Sequence, residues 1–60
     1  MMQVEVFDEE HEIDLKVVIN AFLKQHETYR IIDIKFSTAA FLEEEEQIYC
    51  FSAMIIYDNN

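Results

Sequence analysis

The chain has 60 residues with 13 acidic against 4 basic side chains, a formal net charge of −9, 52% hydrophobic and 13% aromatic content, and one cysteine. A single domain of this size buries only about 60% of the surface its unfolded chain exposes; lone Cys50 excludes an intrachain disulfide, and no CxxC or HxxxH spacing offers zinc, so self-association is the remaining supplement to a thin core. The acidic field repels phosphate backbones and anionic membranes, which argues against both as partners, while the apolar content argues against disorder.

Met2, Val4 and Val6 alternate with Gln3 and Glu5, which predicts a short half-buried strand ending near Phe7. Asp8 follows as the predicted N-cap of a helix from Glu9 to about Gln25, with Glu9, Glu10 and Glu12 at the favoured end of its dipole. At 100° per residue Leu15, Val18, Ile19 and Phe22 gather on one face with Ala21 and Leu23 at its margins, opposite Glu12, Lys16, Asn20 and Lys24. Ile13 and Val17 fall among the polar residues and would be wet in a monomer. The β-branched and aromatic run from Tyr29 to Leu42 predicts a second strand, and Gln47 to Tyr57 a third. Between them Glu43, Glu44, Glu45 and Glu46 contain no Gly, Pro or Asn, so a longer loop or type I variant is expected rather than a tight primed turn.

These elements make one α+β domain over residues 1–60, a three-stranded, mainly antiparallel sheet in β-α-β-β order with a helix on one face, completed by oligomerisation. A second strand of this length would reach about 45 Å, which requires either a bulge near Thr38 to Ala40 or a projecting hairpin arm. Met1 to Asp8 has no basic stretch followed by an apolar run, and no window approaches a membrane span, so a cytoplasmic protein is expected. A lone thiol at Cys50 fits a reducing compartment.

In the third strand Ile48, Cys50, Ser52, Met54 and Ile56 point one way and Tyr49, Phe51, Ala53, Ile55 and Tyr57 the other, so neither face reads as solvent-facing. One helix covers one face, and the other needs a partner. The expected homo-oligomer interface is Tyr49, Phe51, Ile55 and Tyr57, with Ile13 and Val17 as a second patch. The four consecutive glutamates Glu43 to Glu46 read first as a solvated hairpin tip and second as a contact for a protein with a basic surface. They lack the spaced ligands and glycine of a calcium loop.

Candidate chemistry is sparse. His11 and His26 sit 15 positions apart, too far for one metal or one dyad. Cys50 has no base or electropositive neighbour nearby in sequence, and reads as buried packing. The absence of glycine and proline excludes a phosphate-cradling loop. No catalytic, cofactor-binding or metal residue is assigned, and the expectation is a protein that is not an enzyme.

Three segments, Val4 to His11, Ile32 to Ser37 and Gln47 to Tyr57, resemble the small sporulation protein Cse family of spore-forming Bacillus relatives and their phages. The resemblance spans nearly the whole chain, and its last segment is the distinctive one. It implies a cytoplasmic protein of about this length linked to mother-cell gene expression in sporulation, with no catalytic motif to carry over. The leading expectation is thus a non-enzymatic homo-oligomer that acts by occupying a protein partner. The alternatives are a phage-borne inhibitor of a bacterial defence system, as a protein blocker or nucleic-acid mimic, and a sponge for a nucleotide-like molecule at a dimer interface with Tyr49, Tyr57, Arg30 and Lys35.

Overall fold

A computed structural model describes residues 1–59. Strand β1 (Met2–Glu9), helix α1 (Glu12–Gln25), strand β2 (Arg30–Glu43) and strand β3 (Glu46–Asp58) follow in that order. The sheet order is β1-β3-β2, and both outer strands run antiparallel to β3. Consequently β1 and β2 are parallel to each other, α1 is their crossover, and β3 fills the gap between them. The α+β architecture expected from the switch of periodicity after Gln25 is present.

The helix starts later than expected. Asp8 is not its cap: β1 continues to Glu9, Asp8 stands opposite Ser52, and its Oδ1 accepts from Ser52 Oγ at 2.6 Å. Ladder bonds to β3 are worth more to this segment than one cap, so the chain stays extended. His11 takes the N-cap position without a side-chain bond, its carbonyl accepting from Leu15 N–H at 3.1 Å. At the other end His26 N–H donates to Phe22 O at 3.0 Å and closes the last turn.

The helix packs on the face of β3 that carries Ala53, Ile55 and Tyr57. Leu15 is 2% exposed, Ile55 0% and Tyr57 7%, and with Ala53 they form the buried core. Phe22 holds the far end, its ring 5.9 Å from Phe7 and 5.3 Å from Tyr57, both edge-on; Tyr29 stacks on Tyr57 at 5.0 Å and His26 on Tyr29 at 4.5 Å. Ile55 and Tyr57, expected on the uncovered face, therefore lie beneath α1. The side chains of β3 alternate as expected, but the helix covers the face of Ala53, Ile55 and Tyr57 rather than the opposite one.

In β1 the same reversal appears. Glu5 stands opposite Ile55 and Phe7 opposite Ala53, on the helix side, whereas Val4 and Val6 stand opposite Ile56 and Met54 on the open side and are exposed. The apolar stripe of β1 thus faces away from the core.

The hairpin projects as an arm. Strand β1 pairs with β3 only from Phe51 to Asp58, so β2 and β3 continue past it as a two-stranded ribbon to the Glu43–Glu46 pair. The single register shift in β2 falls between Ile31 and Asp33, not near Thr38 to Ala40. At the opposite end of the sheet, the Met1 amino group donates to Asp58 Oδ1 at 2.9 Å and Arg30 lies 3.8 Å from Asp58 Oδ2. The molecule measures 47 × 18 × 11 Å, and its radius of gyration of 13.7 Å exceeds the roughly 10 Å of a compact 60-residue chain. Its accessible surface of 4840 Å² is roughly 700 Å² above the ~4,100 Å² of a compact protein of this mass.

The arm ends in a two-residue turn. Glu44 and Glu45 have φ of 50° and 66°, positive at both central positions, and Glu43 pairs with Glu46. This is the dihedral signature of a tight primed turn, contrary to the longer loop expected from the missing glycine. The right-handed twist of the flanking strands selects that turn geometry, and the two glutamates accept left-handed backbone to provide it.

Candidate functional site

The arm and the start of α1 enclose a groove. Glu10, His11, Glu12 and Ile13 line one wall, and Glu46, Gln47, Ile48, Tyr49 and Phe51 the other, around about 590 Å³. Two features of the chain create it. The helix begins only at Glu12, which leaves Glu10 and His11 as a short connection. Phe51 stands opposite Glu9 at the end of β1 and the arm carries Tyr49 beyond it, both on the same side of β3 as the helix-covered residues. Their rings lie 6.3 Å apart at an angle of 20°. Ile13, 69% exposed, and the half-exposed Tyr49 supply apolar wall, and Glu10, Glu12 and Glu46 make three acidic residues of its lining. The volume lies within the range of sites that seat small molecules or side-chain anchors.

Of the residues singled out from sequence, the groove gathers His11, Ile13, Tyr49, Phe51 and Glu46. The rest fall elsewhere. Val17 is exposed one turn further along α1, and Ile55 and Tyr57 are core. Glu43, Glu44 and Glu45 close the arm tip. Tyr49 and Tyr57 are separated by eight positions of β3, about 26 Å of strand, so one chain does not assemble Tyr49, Tyr57, Arg30 and Lys35 around a ligand. His26, at the C-cap of α1, lies at the opposite end of the helix from His11.

A polar chain that sequence reading missed crosses the open face. Ser52 donates its only hydroxyl proton to Asp8, so at 3.9 Å from Cys50 Sγ it is left to accept from the thiol. The β1–β3 register makes this juxtaposition, and Asp8 and Ser52 are 44 positions apart in sequence. On the same face Asp33 accepts from Ile34 N–H at 2.8 Å and lies 3.2 Å from Lys35 Nζ. Hydrogen bonding from Lys35, then from the Ile34 amide, then the ammonium charge hold its carboxyl below the ordinary value. Among the described residues no three His, Cys, Asp or Glu are grouped to hold a metal ion, and no helix is long and apolar enough to cross a membrane.

Residues 1–59 match the family model described as sporulation protein Cse60. A curated relative, sporulation protein cse60 of Bacillus subtilis, is 52% identical over 58 residues, covering 95% of this chain and 97% of that protein. No solved structure matches the chain. The likeness first visible in the strand segments extends through the helix as well, and the chain belongs to the sporulation protein Cse60 family.

Proposed function

We propose that this chain is a small, non-catalytic, homo-oligomeric binding protein that acts by occupying a protein partner, in the sporulation setting that its relative's name indicates. The partner inserts a segment with an apolar anchor and flanking basic side chains into the groove between α1 and the arm. The observation that carries this reading is the groove itself, an aromatic and aliphatic pocket of about 590 Å³ bordered by Glu10, Glu12 and Glu46. Its apolar walls reward burial of an anchor side chain, and the three carboxylates favour lysine or arginine beside it. Charge complementarity of this kind also discriminates against acidic competitors. A net charge of −9 steers basic surfaces toward the molecule before contact. Among the described residues no nucleophile, base and orienting group converge on the groove, which favours binding over turnover.

A fluorescently labelled helical peptide of leucine and lysine, with a leucine and glutamate peptide as control, tests the site by anisotropy. The triple variant Glu10→Gln, Glu12→Gln, Glu46→Gln should weaken the basic peptide about tenfold or more. The charge-matched variant Glu27→Gln, Glu44→Gln, Glu45→Gln should leave affinity within about twofold, since those carboxylates lie outside the groove. Equal losses in both would reduce the interaction to a general acidic field and overturn the site.

A further inference from the structure

We propose that β2 pairs edge to edge with β2 of a second copy, in antiparallel register centred on Ile34, to give one six-stranded sheet. The inference rests on the homo-oligomeric part of the reading above and names its contact surface. It does not depend on the groove.

Strand β2 is an outer strand of 14 residues without glycine or proline, and exposed from Ile32 to its end. An edge of that length and composition is a template for another strand. Among the described residues the backbone of α1 comes close to β1 and β3 but not to β2. The helix-side residues of β2 are left wet in consequence, Phe36 at 63% exposure beside a cleft of about 260 Å³ that it shares with Leu15 and Ile19. Ile32 and Ile34 are exposed with it.

Charge selects the occupant. Strand β1, the other edge, carries Glu5, Asp8 and Glu9 and would repel its own copy. Strand β2 carries Arg30 and Lys35 against Asp33 and Glu43, a neutral strip on a strongly acidic molecule. With Ile34 on the two-fold axis, Asp33 stands opposite Lys35 of the second copy, twice over. Opposing unlike charges across a strand pair are favourable, and like charges there are not. A register centred on Lys35 or Asp33 would set like charges face to face.

Backbone groups agree with this arrangement. Ile34 N–H is met by Asp33 Oδ1 at 2.8 Å, a side chain of its own strand, rather than spent in the ladder with β3. In the pair the Ile34 carbonyl of the second copy accepts from that amide, and Asp33 turns to the second copy's Lys35. A two-fold axis normal to the sheet leaves both helices on one side, with Ile34 and Phe36 of both copies between them.

The alternative contact, face to face across Val4, Val6 and Met54, carries a cost the edge does not. Asp8, Asp33 and Lys35 share that open face, and a second sheet would strip water from each of them.

Sedimentation of the full chain over a range of concentrations tests the pairing. The natural sequence should show a concentration-dependent dimer. Asp33→Lys and Lys35→Asp should each weaken it by about tenfold or more, because each homodimer then opposes like charges. Mixing the two variants should restore dimer as a heterodimer, an outcome that an intrachain Asp33–Lys35 role does not produce. Ile34→Pro removes the outward amide and should give a folded monomer by circular dichroism that still binds the basic peptide. A monomer at every concentration up to about 100 μM overturns the proposal, as does a dimer untouched by these variants but dissociated by Val4→Ser with Val6→Ser. Loss of peptide binding with the dimer intact would count against the groove alone.

Discussion

The Glu44–Glu45 turn offers a stabilising substitution whose size follows from backbone geometry. Both residues hold positive φ, and a side chain bearing Cβ incurs roughly 1 kcal/mol or somewhat more in that region. Asparagine followed by glycine is the pair that two-residue primed turns favour, since asparagine tolerates left-handed backbone and glycine has no Cβ. Exchanging Glu44→Asn and Glu45→Gly therefore removes most of two such costs, offset in part by the greater freedom of glycine in the unfolded chain. The net gain is about 1–2 kcal/mol, which in a 60-residue domain raises Tm by roughly 5–10 °C. Thermal unfolding by circular dichroism measures it, with hydrogen exchange at Ala39 to Leu42 showing whether the arm itself is protected. The control is Glu44→Gln with Glu45→Gln, which relieves charge repulsion at the tip but keeps the backbone cost. It should gain less than half as much and leave assembly intact. A Tm unchanged or lowered by the Asn-Gly pair, with arm protection unaltered, would refute the turn assignment.

Three other outcomes follow from the same geometry. Ile55→Ala, at a fully buried site, should cost about 2–5 kcal/mol, comparable with the whole stability of so small a domain, and leave the chain largely unfolded by circular dichroism; Ile13→Ala, on the exposed face of α1, should stay within about 0.5 kcal/mol. Lys35→Ala should raise the Asp33 pKa toward the ordinary carboxylate value in an NMR titration, because the lysine is its main stabiliser; the favourable contribution of ionised Asp33 is present above the ordinary value and fades as pH falls through its lowered one. Added salt should tighten the dimer in sedimentation runs, since screening weakens the repulsion between two chains of −9 while the strand ladder is little affected. A dimer weakened by salt would show that ion pairs outweigh that repulsion.

Much of the architecture was legible because periodicity is local. The helical stripe of Leu15, Val18, Ile19 and Phe22 and the β-branched run after Tyr29 fix element type and order without knowledge of the rest. Choice of face was not legible, because both sides of β3 are apolar and parity alone does not say which one meets α1. Tertiary packing of Phe7, Phe22 and Tyr57 decides it, across positions far apart in sequence. The arm tip misled for a different reason. Composition says which residues tolerate positive φ, whereas strand register and twist say whether it is required. Asp8 likewise has the chemistry of a cap and the neighbourhood of a strand, and the long-range pairing with Ser52 prevails. Of the groove, Ile13, Tyr49 and Phe51 were recognisable as unspent apolar residues, and Glu46 as part of an acidic run. Their convergence with Glu10 and Glu12 depends on where the helix begins and how far the arm extends, neither of which a single strand pattern contains.

In the function proposed, one groove, rather than a diffuse acidic surface, receives the partner. Titration of the ¹⁵N-labelled chain with the leucine and lysine peptide, followed by backbone amide resonances, separates the two. Saturable shifts should concentrate at Glu10 to Ile13 and Glu46 to Phe51, with Glu5, Glu27 and the arm tip at Glu44 and Glu45 little moved. Shifts spread evenly over the acidic residues, or centred on the arm tip, would contradict binding at the groove.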